Sequence, residues 1–183
     1  MRKLKIYLAG PEVFLPNAKE VGKKKKDLCA KYGFEGLFPL DNEVRIKGLY
    51  KQEIAKKIYK ANIAQINNSD IVVANISPFR GISADVGTVF EMGYASGIGR
   101  KVYSYTNTYL NFKERTLTNQ RLLRDISFDK NGLLIEDFYL MENLMVAFGS
   151  ISTTIGNVEG LEDLLTFECC LNEVMCDLYE EKE

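Results

Sequence analysis

Histidine is absent from all 183 residues. Its absence excludes Ser-His-Asp and Cys-His catalysis and removes one of the two side chains that zinc prefers as ligands. The four cysteines, Cys29, Cys169, Cys170 and Cys176, show no Cys-x-x-Cys spacing. They read as small apolar residues of a reducing compartment. An excess of one charge is missing too. With 24 basic and 25 acidic residues, the net charge of -1 provides no global field to gather nucleic acid or an anionic membrane. No apolar run approaches the roughly 18 residues of a membrane span. Met1 to Gly10 lacks the apolar core and small-residue cleavage site of a signal peptide. A soluble, cytoplasmic protein that uses neither nucleic acid nor membrane is expected. With no repeat, low-complexity tract or linker, a single domain over 1–183 is expected as well.

What is present alternates. Leu4 to Ala9 reads as a strand closed by Gly10-Pro11, and 17–32 turns helical, with Gly33 as its C' residue. Lys23 to Lys26 in that helix reads as a solvated face. Gly36 to Pro39 is a short strand, and Asp41-Asn42 after it is an ordinary turn signal. Lys51 to Asn67 is a helix with Ile54, Ile58, Ala61 and Gln65 as a narrow stripe suited to packing on a sheet. Asp70 to Ile76 is nearly all apolar, as in a parallel strand covered on both faces. A helix over 84–98 and a strand over 101–105 follow, and a last helix runs from Leu161 to about Tyr179. The stretch 106–137 has no strong period. Strands alternating with helices predict an α/β fold: a doubly wound, mostly parallel sheet flanked by helices, flavodoxin-like or Rossmann-like. Ligands bind such sheets beyond the C-terminal strand ends, which marks the loops 10–16, 41–48 and 75–85.

The densest cluster of unusual residues is Ser77 to Tyr94. Glu91 falls among Val89, Phe90, Met92 and Tyr94 in a helix suited to burial. A carboxylate there is costly unless paired, hydrogen-bonded or used, so a buried ion pair and a catalytic group both fit. Asp85 stands near the start of the same helix and suits a cap. At about 100° per residue it lies roughly 120° around the helix from Glu91, so convergence on one ligand requires Asp85 in the loop or first turn. Gly93, Ala95 and Gly97 suggest a close helix approach. Tyr7 could equally cover the core, and Asp70 could equally cap the preceding turn.

The segments Tyr7-Leu8-Ala9-Gly10-Pro11 with Val13-Phe14, Pro39-Leu40-Asp41-Asn42, Ser77-Pro78-Phe79-Arg80-Gly81 with Asp85, Gly87-Thr88-Val89-Phe90-Glu91-Met92-Gly93-Tyr94-Ala95, and Asn143-Leu144-Met145 stand in one order along the chain. Together they resemble the nucleoside 2-deoxyribosyltransferase family over 6 to about 145. The resemblance implies Glu91 as nucleophile and Tyr7 as the group that orients it. Asp85 and Asp70 would bind the sugar and handle the proton delivered to the base. Gly10, Phe14, Asp41, Phe79, Gly87, Asn143 and Met145 would bind substrate. Asn143 and Met145 would reach into a neighbouring subunit's site, implying a homo-oligomer. Some family members use their C-terminal carboxylate as a sugar ligand; the Glu-Glu-Lys-Glu end is not assigned that role.

The implied chemistry moves 2-deoxyribose between nucleobases, with 2'-deoxynucleosides and free bases as partners, as in purine salvage. A carboxylate captures C1' as oxocarbenium character develops, and two inversions retain configuration. No electron-withdrawing 2'-hydroxyl opposes the positive charge, so carboxylates suffice without metal or cofactor. Phe14, Phe79 and Met145 offer flat or soft surfaces to a base. Water as second acceptor would give hydrolysis. A 2'-deoxynucleoside 5'-monophosphate N-hydrolase and a silent nucleotide sensor are the alternatives. Glu12, an acid where a phosphate would sit, weighs against the first, and the retained Tyr7, Asp70, Asp85 and Glu91 weigh against the second.

Overall fold

The computed structural model describes residues 2–42, 48–118 and 127–180. Residues 43–47 of the expected loop 41–48, 119–126 of the unassigned stretch, and 181–183 of the acidic tail lie outside the described residues. Five strands, β1 (Lys5–Ala9), β2 (Glu35–Leu37), β3 (Ile71–Asn75), β4 (Lys101–Thr106) and β5 (Thr153–Ile155), form one sheet in the order β2-β1-β3-β4-β5. Every pairing is parallel. The order reverses between β1 and β3, which opens a crevice beyond their C-terminal ends.

Side chains alternate across a strand. Ile6 and Leu8 therefore face α1 (Ala18–Lys31) and α6 (Leu164–Glu180), in a core with Cys29, Phe38, Tyr105 and Phe167. Tyr7 and Ala9 point the other way, into a second core with Ile66 of α2 (Lys51–Asn67) and Met92 and Ala95 of α3 (Val86–Gly97). This parity puts Tyr7 on the face that carries Glu91.

Several local expectations change. The strand β5 escaped sequence reading because three residues carry too little period to stand out. The unassigned stretch contains a short helix, α4 (Phe112–Leu117), and α5 (Leu144–Ala147) follows Asn143. The α2 stripe packs little, since Ile66 is the helix's only buried residue while Ile58 is exposed. Gly93 and Gly97 do not serve close packing within this chain, because a Cβ on either would meet nothing within 4 Å. The lysine run is not one solvated face. Lys23 and Lys24 pair with Asp27 and Glu20 on the helix surface, but Lys25 is buried against an equally buried Glu12. Burial pushes the thiols of Cys29 and Cys170 up to about 12, while Cys169 and Cys176 are exposed. Among the described residues no helix is long and apolar enough to cross a membrane.

Candidate active site

The crevice at the strand-order reversal holds a cavity of about 300 Å³ lined by Gly10, Val13, Phe14, Pro39, Leu40, Ile58, Asn62, Asp85, Gly87, Thr88 and Glu91. A larger groove of about 610 Å³ lies at the other end of the sheet, around Leu4, Phe34, Met175 and Leu178. That groove is lined by no carboxylate, whereas the smaller cavity brings together Asp85 and Glu91 and is the candidate site.

Glu91 rises from the middle of α3. Its Oε1 accepts a hydrogen bond from the Tyr7 hydroxyl at 2.7 Å and from Asn62 Nδ2 at 3.3 Å. Both donors converge on the same oxygen. Among the described residues no hydrogen bond falls on Oε2, the atom left for a ligand. Burial raises the Glu91 carboxyl to about 7; the Tyr7 and Asn62 hydrogen bonds oppose the rise, and the charge of Asp85 adds to it. Burial first, then the Glu91 charge and hydrogen bond, push the Tyr7 phenol far up, so it is a neutral donor.

Asp85 is the N-cap of α3, outside the helix in an extended conformation, and its Oδ2 accepts from Thr88 N at 2.9 Å and Thr88 Oγ1 at 3.1 Å. The cap position resolves the angular problem, because Asp85 reaches the cavity from the loop and Glu91 from the helix. Gly87 lines the same wall. Phe14 lines the cavity and stacks at 5.2 Å on Phe79, which does not line it but extends Phe14 into a lip, with the Arg80 guanidinium over both rings.

Asp70 and Asp41 are elsewhere. Asp70 precedes β3, at the opposite end of the sheet from the cavity; its carboxylate pairs with Arg2 at 2.6 Å and accepts from Lys5 N. These hydrogen bonds and the Arg2 charge hold it below the usual range although burial alone would raise it. Closeness to the other motif residues in sequence does not become closeness in space here, because a strand roughly 15 Å long separates its two ends. Asp70→Asn is expected to leave turnover within about twofold, as for other surface changes remote from a site; initial rates check this. Asp41 likewise stays out of the cavity. It closes a 3-10 turn over Pro39–Asp41 by accepting from Phe38 N and pairs with Lys26, the bland turn reading.

Asn143 caps α5, accepting from Met145 N and donating to Glu136. Neither Asn143 nor Met145 lines this cavity, and Met145 is 75% exposed. Asn62, by contrast, escaped sequence reading. A polar residue within the α2 stripe, four residues after Ile58, was its only signal. The described residues contain no group of three or more potential metal ligands.

A family model described as nucleoside 2-deoxyribosyltransferase matches residues 6–145. The solved structure of a 2-desoxiribosyltransferase from Leishmania mexicana is similar, with 28% identity, TM-score 0.63 and coverage of 85% of this chain and 91% of that one. A conserved protein from Enterococcus faecalis shares the fold at 18% identity and TM-score 0.55, over 94% and 99% of the two chains. An uncharacterized protein of Schizosaccharomyces pombe, C191.05c, is 30% identical over 103 residues, 55% of this chain. The match spans about half, 49%, of that relative's length. With the model match covering most of the sheet and the Glu91 cavity, the chain belongs to the nucleoside 2-deoxyribosyltransferase family.

Proposed function

We propose that this chain transfers 2-deoxyribose between nucleobases through a covalent ester on Glu91. The observation that carries this reading is a carboxylate held by Tyr7 and Asn62 through one oxygen, with the other free, in a cavity with apolar walls and one further carboxylate. Glu91 Oε2 attacks C1' while the C1'–N bond breaks, and its electron pair passes to the base, which takes a proton. A second base attacks C1', the ester C–O bond breaks to restore the carboxylate, and the incoming base loses its proton. Asp85 is the remaining carboxyl in reach, so it takes the contact to the sugar and the exchange of the proton. Leu40, Pro39, Ile58 and Phe14 supply the flat apolar surface for a base.

Purified protein incubated with deoxyinosine and adenine should yield deoxyadenosine, seen by chromatography and absent without adenine. Base release that favours deoxyinosine monophosphate would replace this reading with the N-hydrolase. No reaction with either would leave only a binding module.

A second copy of the chain completes the assembly in this reading. Val86, Phe90, Gly93 and Gly97 follow one another at helical spacing on α3, and all are exposed, with Tyr59 beside Phe90. Met145, Phe148, Phe138 and Tyr139 add exposed apolar area around α5. Asn143 and Met145 are then available to a neighbour's site rather than to their own, and the covering excludes water. Light scattering after size exclusion should show an oligomer that Phe90→Lys dissociates. A monomeric parent protein would refute the assembly.

A further inference from the structure

The proposed mechanism makes no use of the buried ion pair between Glu12 and Lys25. Each side chain is 1% exposed and the two meet at 2.5 Å. Glu12 belongs to the 3-10 turn Pro11–Phe14 that follows β1, so it lies two residues before Phe14 of the cavity. Its Oε1 also accepts from Asn75 Nδ2 at 3.0 Å, at the end of β3, and from the Tyr105 hydroxyl at 2.7 Å, on β4. The contacts continue outward. Asn75 Oδ1 accepts from Ser77 N, and Ser77 Oγ accepts from Asn107 N, just beyond β4. Three strand ends are thereby tied to a single oxygen atom.

The other oxygen, Oε2, is buried without a partner, and it occupies the space where a Cβ on Gly10 would fall, 2.0 Å away. Gly10 lines the cavity, so the carboxylate presses on the cavity floor from behind. Lys25 Nζ sits 4.7 Å from the Phe167 ring centre and 5.2 Å from that of Tyr105, which surrounds the pair with aromatic faces. Burial and the neighbouring Glu12 charge push the Tyr105 phenol well up, which keeps it a neutral donor. An apolar pair of similar volume would hold two elements together equally well, because desolvation offsets most of the attraction inside a buried ion pair. What an apolar pair lacks is direction. Three donors aimed at one oxygen fix where the turn after β1 and the loop after β3 stand relative to each other, and those two segments carry the stacked lip of Phe14 and Phe79.

We propose that Glu12 is a positioning residue that, through Lys25, Asn75 and Tyr105, sets the Phe14–Phe79 lip and the Gly10 floor for nucleoside binding. This rests on the reading that the cavity takes a 2'-deoxynucleoside. It acts on binding and not on the bond-breaking step: its hydrogen bonds run to Lys25, Asn75 and Tyr105, and those of Glu91 to Tyr7 and Asn62, with no residue common to both sets among the described residues.

The test is the double variant Glu12→Leu/Lys25→Met, which removes both charges together and avoids stranding one of them. Its KM for deoxyinosine in transfer to adenine, its kcat, its melting temperature and the calorimetric Kd for deoxyinosine are measured beside the parent. The expected result is a folded protein whose KM and Kd rise about tenfold, with kcat within about threefold, the size of effect expected from displaced ligand contacts. Parent-like KM and Kd in a folded double variant would overturn the proposal and leave the pair a purely structural feature. A fall in kcat with KM unchanged would overturn it as well. If the double variant does not fold, Tyr105→Phe decides: it keeps the ring against Phe167 and deletes one donor, and KM should rise about threefold, whereas an unchanged KM counts against the proposal. A parent protein that neither binds nor turns over deoxyinosine overturns the functional reading itself, and this proposal with it.

Discussion

Glu91→Gln should abolish deoxyribose transfer, by about 10³-fold or more, and make the protein more stable at pH 8. The loss follows from the chemistry, since an amide oxygen is too weak a nucleophile to form the ester at C1'. The gain follows from linkage. Burial raises the folded carboxyl to about 7 from an ordinary value of 4.5. The folded state therefore favours the protonated form. No stability is lost below the unfolded value, and it falls progressively as pH rises through the folded one. The window is pH 4.5 to 7, and the cost beyond it is on the order of 3 kcal/mol for this largely buried group. Glutamine is neutral at every pH and carries no such cost. Its melting temperature should match the parent near pH 4.5 and exceed it at pH 8 by several degrees, roughly 2–4 °C per kcal/mol for a chain of this size. Equal melting at pH 8 would mean that Glu91 is not desolvated. Surviving transfer would mean that it is not the nucleophile.

Tyr7→Phe should lower kcat at pH 7 by about 10²-fold while leaving the fold intact, because only a hydroxyl is removed from a buried ring. Part of that loss is ionisation. The parent's rate should rise with pH through about 7, where Glu91 becomes a carboxylate. The Tyr7 hydrogen bond favours the charged form, so its removal should move this limb upward by about one pH unit. At pH 9 the variant should recover part of the deficit, and the remainder measures the orientation of the carboxylate by Tyr7. A limb that stays in place would show that Tyr7 only fills space. The other groups facing Glu91 are Asn62 from α2 and Asp85 at the start of α3, and neither changes in this variant.

Much of this site is legible in the amino-acid sequence. Glu91 stands out because a carboxylate in an apolar helix must be explained, and the strand ending at Gly10-Pro11 marks the loop that lines the cavity. From its own position Asp85 is legible as a cap, and the sugar-binding role that the family resemblance implies depends on the cap lying outside the helix. Asp70 shows the limit: beside β3 in sequence, it projects at the wrong end of the strand. Asn62 and Glu12 show the same limit from the other side. An asparagine on a partly exposed helix and a glutamate in a turn give no sign of their partners, which lie 29 and 63 residues away at Glu91 and Asn75.

The sequence by itself determined the alternation of strands and helices, hence a parallel sheet with a crevice beyond its C-terminal edge, because side-chain period and turn residues act locally. It also narrowed the available chemistry, since a chain without histidine has no Ser-His-Asp or Cys-His catalysis. Only the tertiary structure decided which carboxylates share a cavity, which lysine of a run of four is buried, and which oxygen of Glu91 is left free. Those outcomes depend on strand order and on the parity of side chains across β1. Both are set when distant segments pair and exclude water together.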